Sequence, residues 1–279
     1  MKQHLGFIQH CVLFITPLIA SSVLGSAPSQ AATLALSEGE FEFSNINQTP
    51  LTIGTGTDTN TIAIGNGGTV DTLAQAIATF RTRPTPQASN LSFSGALGEN
   101  KDYLGLAESQ AAVIGEFVVN AGESLSFDFK GKLNLETSID NPPAENAKAF
   151  GDIFFAIIDT TNNIVLDNLR VIGNLNTLGD GDFITYEKSD NVALNNPLTT
   201  SNFGGNQESA TASIQGSVRR SFDNTAKIAL VEVKRNQVRV TAPEPSSSLA
   251  LLFGCGVVGF VTRAKRKAMT LGRLLQEKI

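Results

Sequence analysis

The sequence predicts an all-β protein. Its folded part reads as a β-sandwich, with the jelly roll among its topologies, carrying one short helix and flanked by an N-terminal signal helix and a single C-terminal transmembrane helix. Two observations lead there. The stretch SLSFDFKGKLNLET puts Leu125, Phe127, Phe129, Leu133 and Leu135 on one face and Asp128, Lys130, Lys132, Asn134 and Glu136 on the other, the period-two pattern of a half-buried strand. Many further short apolar runs are separated by links rich in Asn, Gly, Ser and Thr, the punctuation of a sandwich or barrel. No fixed-period repeat accompanies them, which argues against a solenoid.

Along the chain, residues 1–31 come first. Lys2 and the terminal amine precede an apolar stretch from Cys11 to Leu24, and small residues follow at Ser29 and Ala31. That order is a secretory signal peptide cleaved after Ala31, with Ala27 as an alternative site. The apolar stretch is short for a permanent membrane anchor.

The domain that follows spans residues 32–242. Its strand candidates are EFEFSNI (40–46), TIAI (61–64), NLSFSGAL (90–97), AAVIGEFVVN (111–120), ATASIQGSVRRSF (210–222) and AKIALVEVKRNQVRVTA (226–242). In the last of these, KRNQ reads as a turn before VRV. Between TIAI and NLSFSGAL, VDTLAQAIATFRTRP places Leu73, Ile77 and Phe80 at helical spacing, with Asp71 or Thr72 as cap and Pro84 as stop, so it predicts the short helix. Gly131, on the apolar register of its strand, marks a bulge or bend. Two apolar runs, Ile153 to Ile158 and Ile164 to Ile172, flank the turn formers Asp159 to Asn163 and predict a hairpin. Residues 139–149 and 189–208 are the longest polar loops.

Composition restricts the chemistry. Residues 32–242 hold 14 basic and 24 acidic side chains, a formal charge of −10, which disfavours nucleic acid or an anionic membrane as partner. His4, His10, Cys11 and Cys255 all lie outside this domain, and it contains no Trp or Met. Histidine- or cysteine-based nucleophilic catalysis, imidazole or thiolate zinc sites and internal disulfides are therefore excluded there. No catalytic or cofactor-binding residue is assigned, and no cofactor is expected.

The end of the chain has its own logic. Pro243, Glu244 and Pro245 lead through serines into an apolar run from Leu249 to Val261, followed by Arg263, Lys265, Arg266 and Lys267. The stretch from Ser246 to Thr262 spans roughly 26 Å as a helix, slightly less than a ~30 Å hydrocarbon core. The basic cluster would stay cytoplasmic and leave the domain outside. Residues 268–279 form a short cytoplasmic extension.

The combination of PEP triplet, apolar helix and basic cluster behind a signal peptide resembles the PEP-CTERM sorting signal of exported bacterial proteins, here at 243–267. The domain, notably SFDFKGKLNLETSIDNP and LVEVKRNQ, is similar to uncharacterised domains carried by such proteins. The resemblance implies processing near Pro243, Glu244 and Pro245 by an exosortase-type membrane enzyme, after export by the Sec machinery and cleavage by signal peptidase. It also implies transient residence in the inner membrane, then a place at the cell surface, in the outer envelope or in the medium. Exopolysaccharide is the implied partner.

For the domain itself, a noncatalytic surface or matrix role is the first expectation, with Asn, Ser and Thr side chains suited to sugar hydroxyls and only Tyr103, Tyr186 and exposed Phe for stacking. Two alternatives stand beside it. A glycan hydrolase could use two carboxylates, with Asp180, Asp182, Asp152 and Asp159 as candidates that the sequence alone does not pair. A calcium-stabilised adhesin module could use Asp180 and Asp182 in LGDGDF, which read equally as a turn.

Overall fold

The computed structural model describes residues 32–140 and 142–242. In chain order they form β1 (Ala32–Ser44), β2 (Thr52–Gly65), β3 (Thr69–Arg81), β4 (Gln87–Glu99), β5 (Tyr103–Val119), β6 (Ser124–Ser138) and β7 (Asn146–Asp159). Then come β8 (Ile164–Thr177), β9 (Phe183–Lys188), β10 (Val192–Leu194), β11 (Leu198–Asn202), β12 (Gln207–Ser221) and β13 (Ala226–Thr241). No helix occurs among the described residues. The expected sandwich is present as two antiparallel sheets. One runs β10-β12-β6-β1-β4-β3 with β11 also on β12, and the other runs β2-β5-β13-β7-β8-β9.

Alternation along the strands builds the space between the sheets. Leu125, Phe127, Phe129, Leu133 and Leu135 of β6 are all buried, as their spacing predicts. They meet Phe41 and Phe43 of β1 and Phe155 of β7 in a cluster of rings. Phe155 lies at its centre, with centroids 5.2–5.9 Å from Phe41, Phe43, Phe127 and Phe129. Tilted and edge-on pairs of this kind add to the gain from burial alone. The predicted hairpin is also present, as β7 and β8 joined through Asp159 to Asn163. Phe155, Ala156 and Ile157 are buried in succession, so this stretch of β7 is covered on both faces, and a register shift against β8 follows between Ile157 and Ile158.

The helix expected at VDTLAQAIATFRTRP is a strand. β3 pairs with β4 from Thr69 opposite Glu99 to Arg81 opposite Gln87, and Val70, Ala74, Ala78 and Phe80 pack inward at even spacing. Leu73 and Ile77 lie on the opposite face, and Ile77 is exposed. Helical propensity in the alanines yields here to a ladder of hydrogen bonds along the edge of β4.

Two expected breaks are absent as well. KRNQ sits in the middle of β13, paired with β5 on one side and β7 on the other. β6 passes through Gly131 without a register shift against β1 or β12. A Cβ at Gly131 would lie 2.8 Å from the Phe41 ring, so the glycine makes room for an aromatic neighbour. The loop expected over 189–208 carries the short strands β10 and β11 along the edge of β12.

The signal sequence, Ala31, Pro243, Glu244, Pro245, the membrane segment from Leu249 to Val261, and Arg263, Lys265, Arg266 and Lys267 lie outside the described residues. So do the cytoplasmic extension and both terminal helices.

Candidate functional site

The most unusual chemistry lies inside the sandwich. The inward row of β13 runs Ile228, Leu230, Glu232, Lys234, Asn236, Val238, Val240, and every member is buried. Three consecutive inward positions of a central strand are thus polar or charged, and each is 0 % exposed. Their counterparts come from the facing sheet. β4 contributes Asn90, Ser92 and Ser94 between Ala88 and Ala96, and β1 contributes Ser37.

The partners form a chain of hydrogen bonds across the two layers. Asn90 Nδ2 donates to Glu232 Oε2, and Lys234 Nζ donates to the main-chain carbonyl of Asn90. Ser92 Oγ donates to Asn236 Oδ1, while Asn236 Nδ2 donates to Ser37 Oγ at 2.6 Å. Ser37 Oγ in turn donates to the Phe150 carbonyl at 2.7 Å, and Ser94 bridges Ser109 at 2.9 Å and the Asn236 carbonyl at 3.2 Å. Asn236 is therefore satisfied at both ends of its amide. Within this group two buried atoms have no hydrogen-bond partner, Asn90 Oδ1 and Glu232 Oε1, and such orphans are costly in a low-dielectric interior.

Burial also disfavours both charges. It pushes the Glu232 carboxyl up to about 7, against the opposing pull of Lys234 and the hydrogen bond from Asn90. It pulls the Lys234 ammonium down to about 8, opposed by Glu232 and more weakly by Glu40 and Glu38. The two shifts move toward each other, so burial narrows the gap between the proton affinities of the two groups. The sequence carries this signal as Glu, Lys and Asn at every second position, a pattern that looks like ordinary strand alternation.

A second polar group sits at one end of the sandwich. Glu208 of β12, only 4 % exposed, accepts from Thr177 Oγ1 at 2.9 Å, from Thr137 Oγ1 at 3.4 Å and from the Gly204 amide at 2.9 Å. Asp182 lies beside it and accepts from the Asn176 amide at 2.7 Å. Burial raises the Asp182 carboxyl, with the nearby Glu208 and Asp180 adding to the effect. A depression of about 260 Å³ opens here, lined by Leu178, Gly179, Asp180, Gly204, Asn206 and Glu208 among others. The structure thus brings Asp182 to Glu208, a residue that nothing in the linear pattern singles out. Among the described residues, no group of three or more His, Cys, Asp and Glu is arranged to hold a metal ion.

The other sequence candidates occupy separate places. Asp152 of β7 forms a two-pronged ion pair with Arg170 of β8, at 2.9 and 2.8 Å. The pair borders a shallow cleft of about 390 Å³ on the outer face of the six-stranded sheet, together with Gln110, Phe154, Val233 and Arg235. Asp159 instead caps the β7–β8 turn, accepting from the amides of Thr161 and Asn162 at 2.8 and 3.2 Å. The side chain and amide of Asn162 hold its carboxyl below the usual range. Asp152 and Asp159 do not converge. Tyr103 is buried, its hydroxyl donating to Thr33 Oγ1 at 2.5 Å, and its ring covers Gly98, where a Cβ would lie 2.1 Å away. Tyr186, on β9, is the exposed tyrosine.

The chain matches no family model, and no curated protein or solved structure is significantly similar to it.

Proposed function

We propose that this is an exported, noncatalytic structural or binding protein of the cell surface or extracellular matrix, its tail processed by an exosortase and its surroundings rich in exopolysaccharide. The observation that carries the reading is the order of the tail. Pro243-Glu244-Pro245, the apolar run to Val261 and the basic cluster from Arg263 to Lys267 follow one another behind a signal-like N-terminus.

The domain supports the noncatalytic half. Three of the four candidate acids are already engaged, and the fourth, Asp180, lines the depression beside Glu208. Asp152 is held by Arg170, Asp159 closes a turn, and Asp182 is bonded to a main-chain amide beside a fully hydrogen-bonded Glu208. The outer face of the six-stranded sheet offers a contact surface for sugar. Gln110, Arg235 and the Asp152–Arg170 pair surround Phe154, and Gln237 donates to Glu108 at 2.5 Å nearby. Donors and acceptors around an apolar ring suit a hydroxylated chain.

The test is the mass of the native protein recovered separately from membrane, outer surface and culture medium. Loss of both ends, near Ala31 and near Pro243 to Pro245, is the expected result. A surface or medium form that retains the chain through Ile279 would sink the sorting reading.

A further inference from the structure

We propose that Lys234 and Asn90 become joined by an isopeptide bond from Nζ to Cγ, formed by the chain itself with Glu232 as proton carrier, so that a covalent link ties the two sheets. The inference is independent of export and sorting. It rests on three residues brought together from two strands in different sheets, with Lys234 and Glu232 on β13 and Asn90 on β4.

The geometry selects the partners. Lys234 Nζ donates to the main-chain carbonyl of Asn90 itself. The side-chain Cγ is joined to that carbonyl carbon through Cα and Cβ, so the carboxamide belongs to the residue the amine already touches. A turn of the Asn90 side chain toward Nζ is the motion the reaction requires. Asn236, on the same strand as Lys234, is the other buried carboxamide nearby, and Ser92 and Ser37 pin it at both ends. Asn90 is free to react, because its Oδ1 has no partner and its Nδ2 is held by the carboxyl of Glu232.

The surroundings favour the reaction. Asn90 pairs directly with Phe41 on β1, and Glu232 with Phe155 on β7, so two rings of the aromatic cluster flank the group. Lys234 pairs with Ala111 and Ile153. A lysine so enclosed is a nucleophile when neutral, and a carboxyl so enclosed is an acid when protonated. One proton moved from Lys234 to Glu232 produces both forms together.

The step balances without an oxidant or cofactor. The Nζ lone pair attacks Cγ while protonated Glu232 donates to Oδ1, which faces it once the carboxamide turns about its last bond. Glu232 then takes a proton from Nζ and passes it to Nδ2, and it takes back the Oδ1 proton as the carbonyl re-forms. The Cγ–Nδ2 bond breaks, the new amide remains and ammonia leaves. Confinement of amine and carboxamide in one cavity supplies the high effective concentration that such an exchange between amides needs.

The experiment is a tryptic map of the denatured full-length protein by mass spectrometry. Joined peptides Thr82–Lys101 and Ile228–Arg235 are expected, about 17 Da below the sum of the two for the lost ammonia, with no cleavage after Lys234. Recovery of the two peptides apart, with cleavage after Lys234, overturns the proposal. So does loss of ammonia at Asn90 with the peptides apart, or a link from Lys234 to Asn236. In Glu232→Gln the peptides are expected unjoined, and a joined pair there would overturn the role of Glu232. The wild-type map decides the bond whether or not that variant folds.

Discussion

Phe155→Ala tests whether the ring cluster is the mechanical centre of the domain. Phe155 is 0 % exposed and contacts four other rings. A buried phenylalanine removes on the order of 150 Å² or more from water, worth about 4 kcal/mol at ~25 cal/mol per Å². Truncation to alanine in packed cores costs about 3–5 kcal/mol, the same range. For a domain of roughly 150–250 residues each kcal/mol lowers the Tm by about 2–4 °C, so the expected fall is about 8–16 °C. Phe155→Leu keeps most of the volume and should cost under about 1.5 kcal/mol. Thermal unfolding followed by circular dichroism reads both, with the Lys234 and Asn90 peptides mapped in each variant so that like is compared with like. An alanine variant melting within about 2 °C of the parent would refute the assignment of Phe155 to the core's centre.

Two further outcomes follow from the electrostatics. Asp167→Ala should destabilise the fold by about 1–3 kcal/mol, because Asp167 is 2 % exposed and accepts from Arg220 at 2.9 Å, Ser189 and Asn191. Asp152→Ala, which removes the half-exposed pair with Arg170, should cost about 1 kcal/mol or less. Denaturant midpoints distinguish the two, and equal losses would contradict the burial difference. The Glu232 carboxyl, raised by burial from 4.5 to about 7, contributes stability that is fully present below its unfolded value and is lost as pH rises through 7. Unfolding titrations should show a decline on the order of 3 kcal/mol over that window, steeper in the parent than in Glu232→Gln. A joined Lys234, whose charge no longer lowers the Glu232 carboxyl, leaves the sign unchanged. Parallel pH profiles for the two proteins would rule it out.

Much of the two-sheet architecture was legible because half-buried strands write their faces into the sequence. SLSFDFKGKLNLET lies on β6 with the facing its alternation gives, and Asp159 to Asn163 form the hairpin turn their chemistry favours. VDTLAQAIATFRTRP misled because alanine suits a helix in isolation, whereas the gap between β3 and the opposite sheet needs small side chains at alternate positions. Which strand neighbours which was not legible. β1 pairs with β4 and β6, and β13 with β5 and β7, and those choices depend on inward surfaces that meet only once both sheets exist. The short strands β9 to β11 escaped notice because edge segments such as LTTSN carry no apolar alternation of their own.

The polar group at the centre was hidden by the same rule that revealed the strands. Alternation assigns Glu232, Lys234 and Asn236 to the row of Leu230 and Val238, and buried charges are rare enough that such a row passes for a solvated face. Their meaning lies in what faces them. An interior lined only by Phe, Leu, Ile and Val would let one sheet slide over the other by two residues and bury nearly the same area. Asn90, Ser92 and Ser94 opposite Glu232, Lys234 and Asn236 make that slide expensive, since each displaced member would leave a buried charge or amide without its partner. The aromatic half of the core thus supplies cohesion and the polar half supplies register. A covalent bond between Lys234 and Asn90 would fix at one point the alignment that the hydrogen bonds already favour.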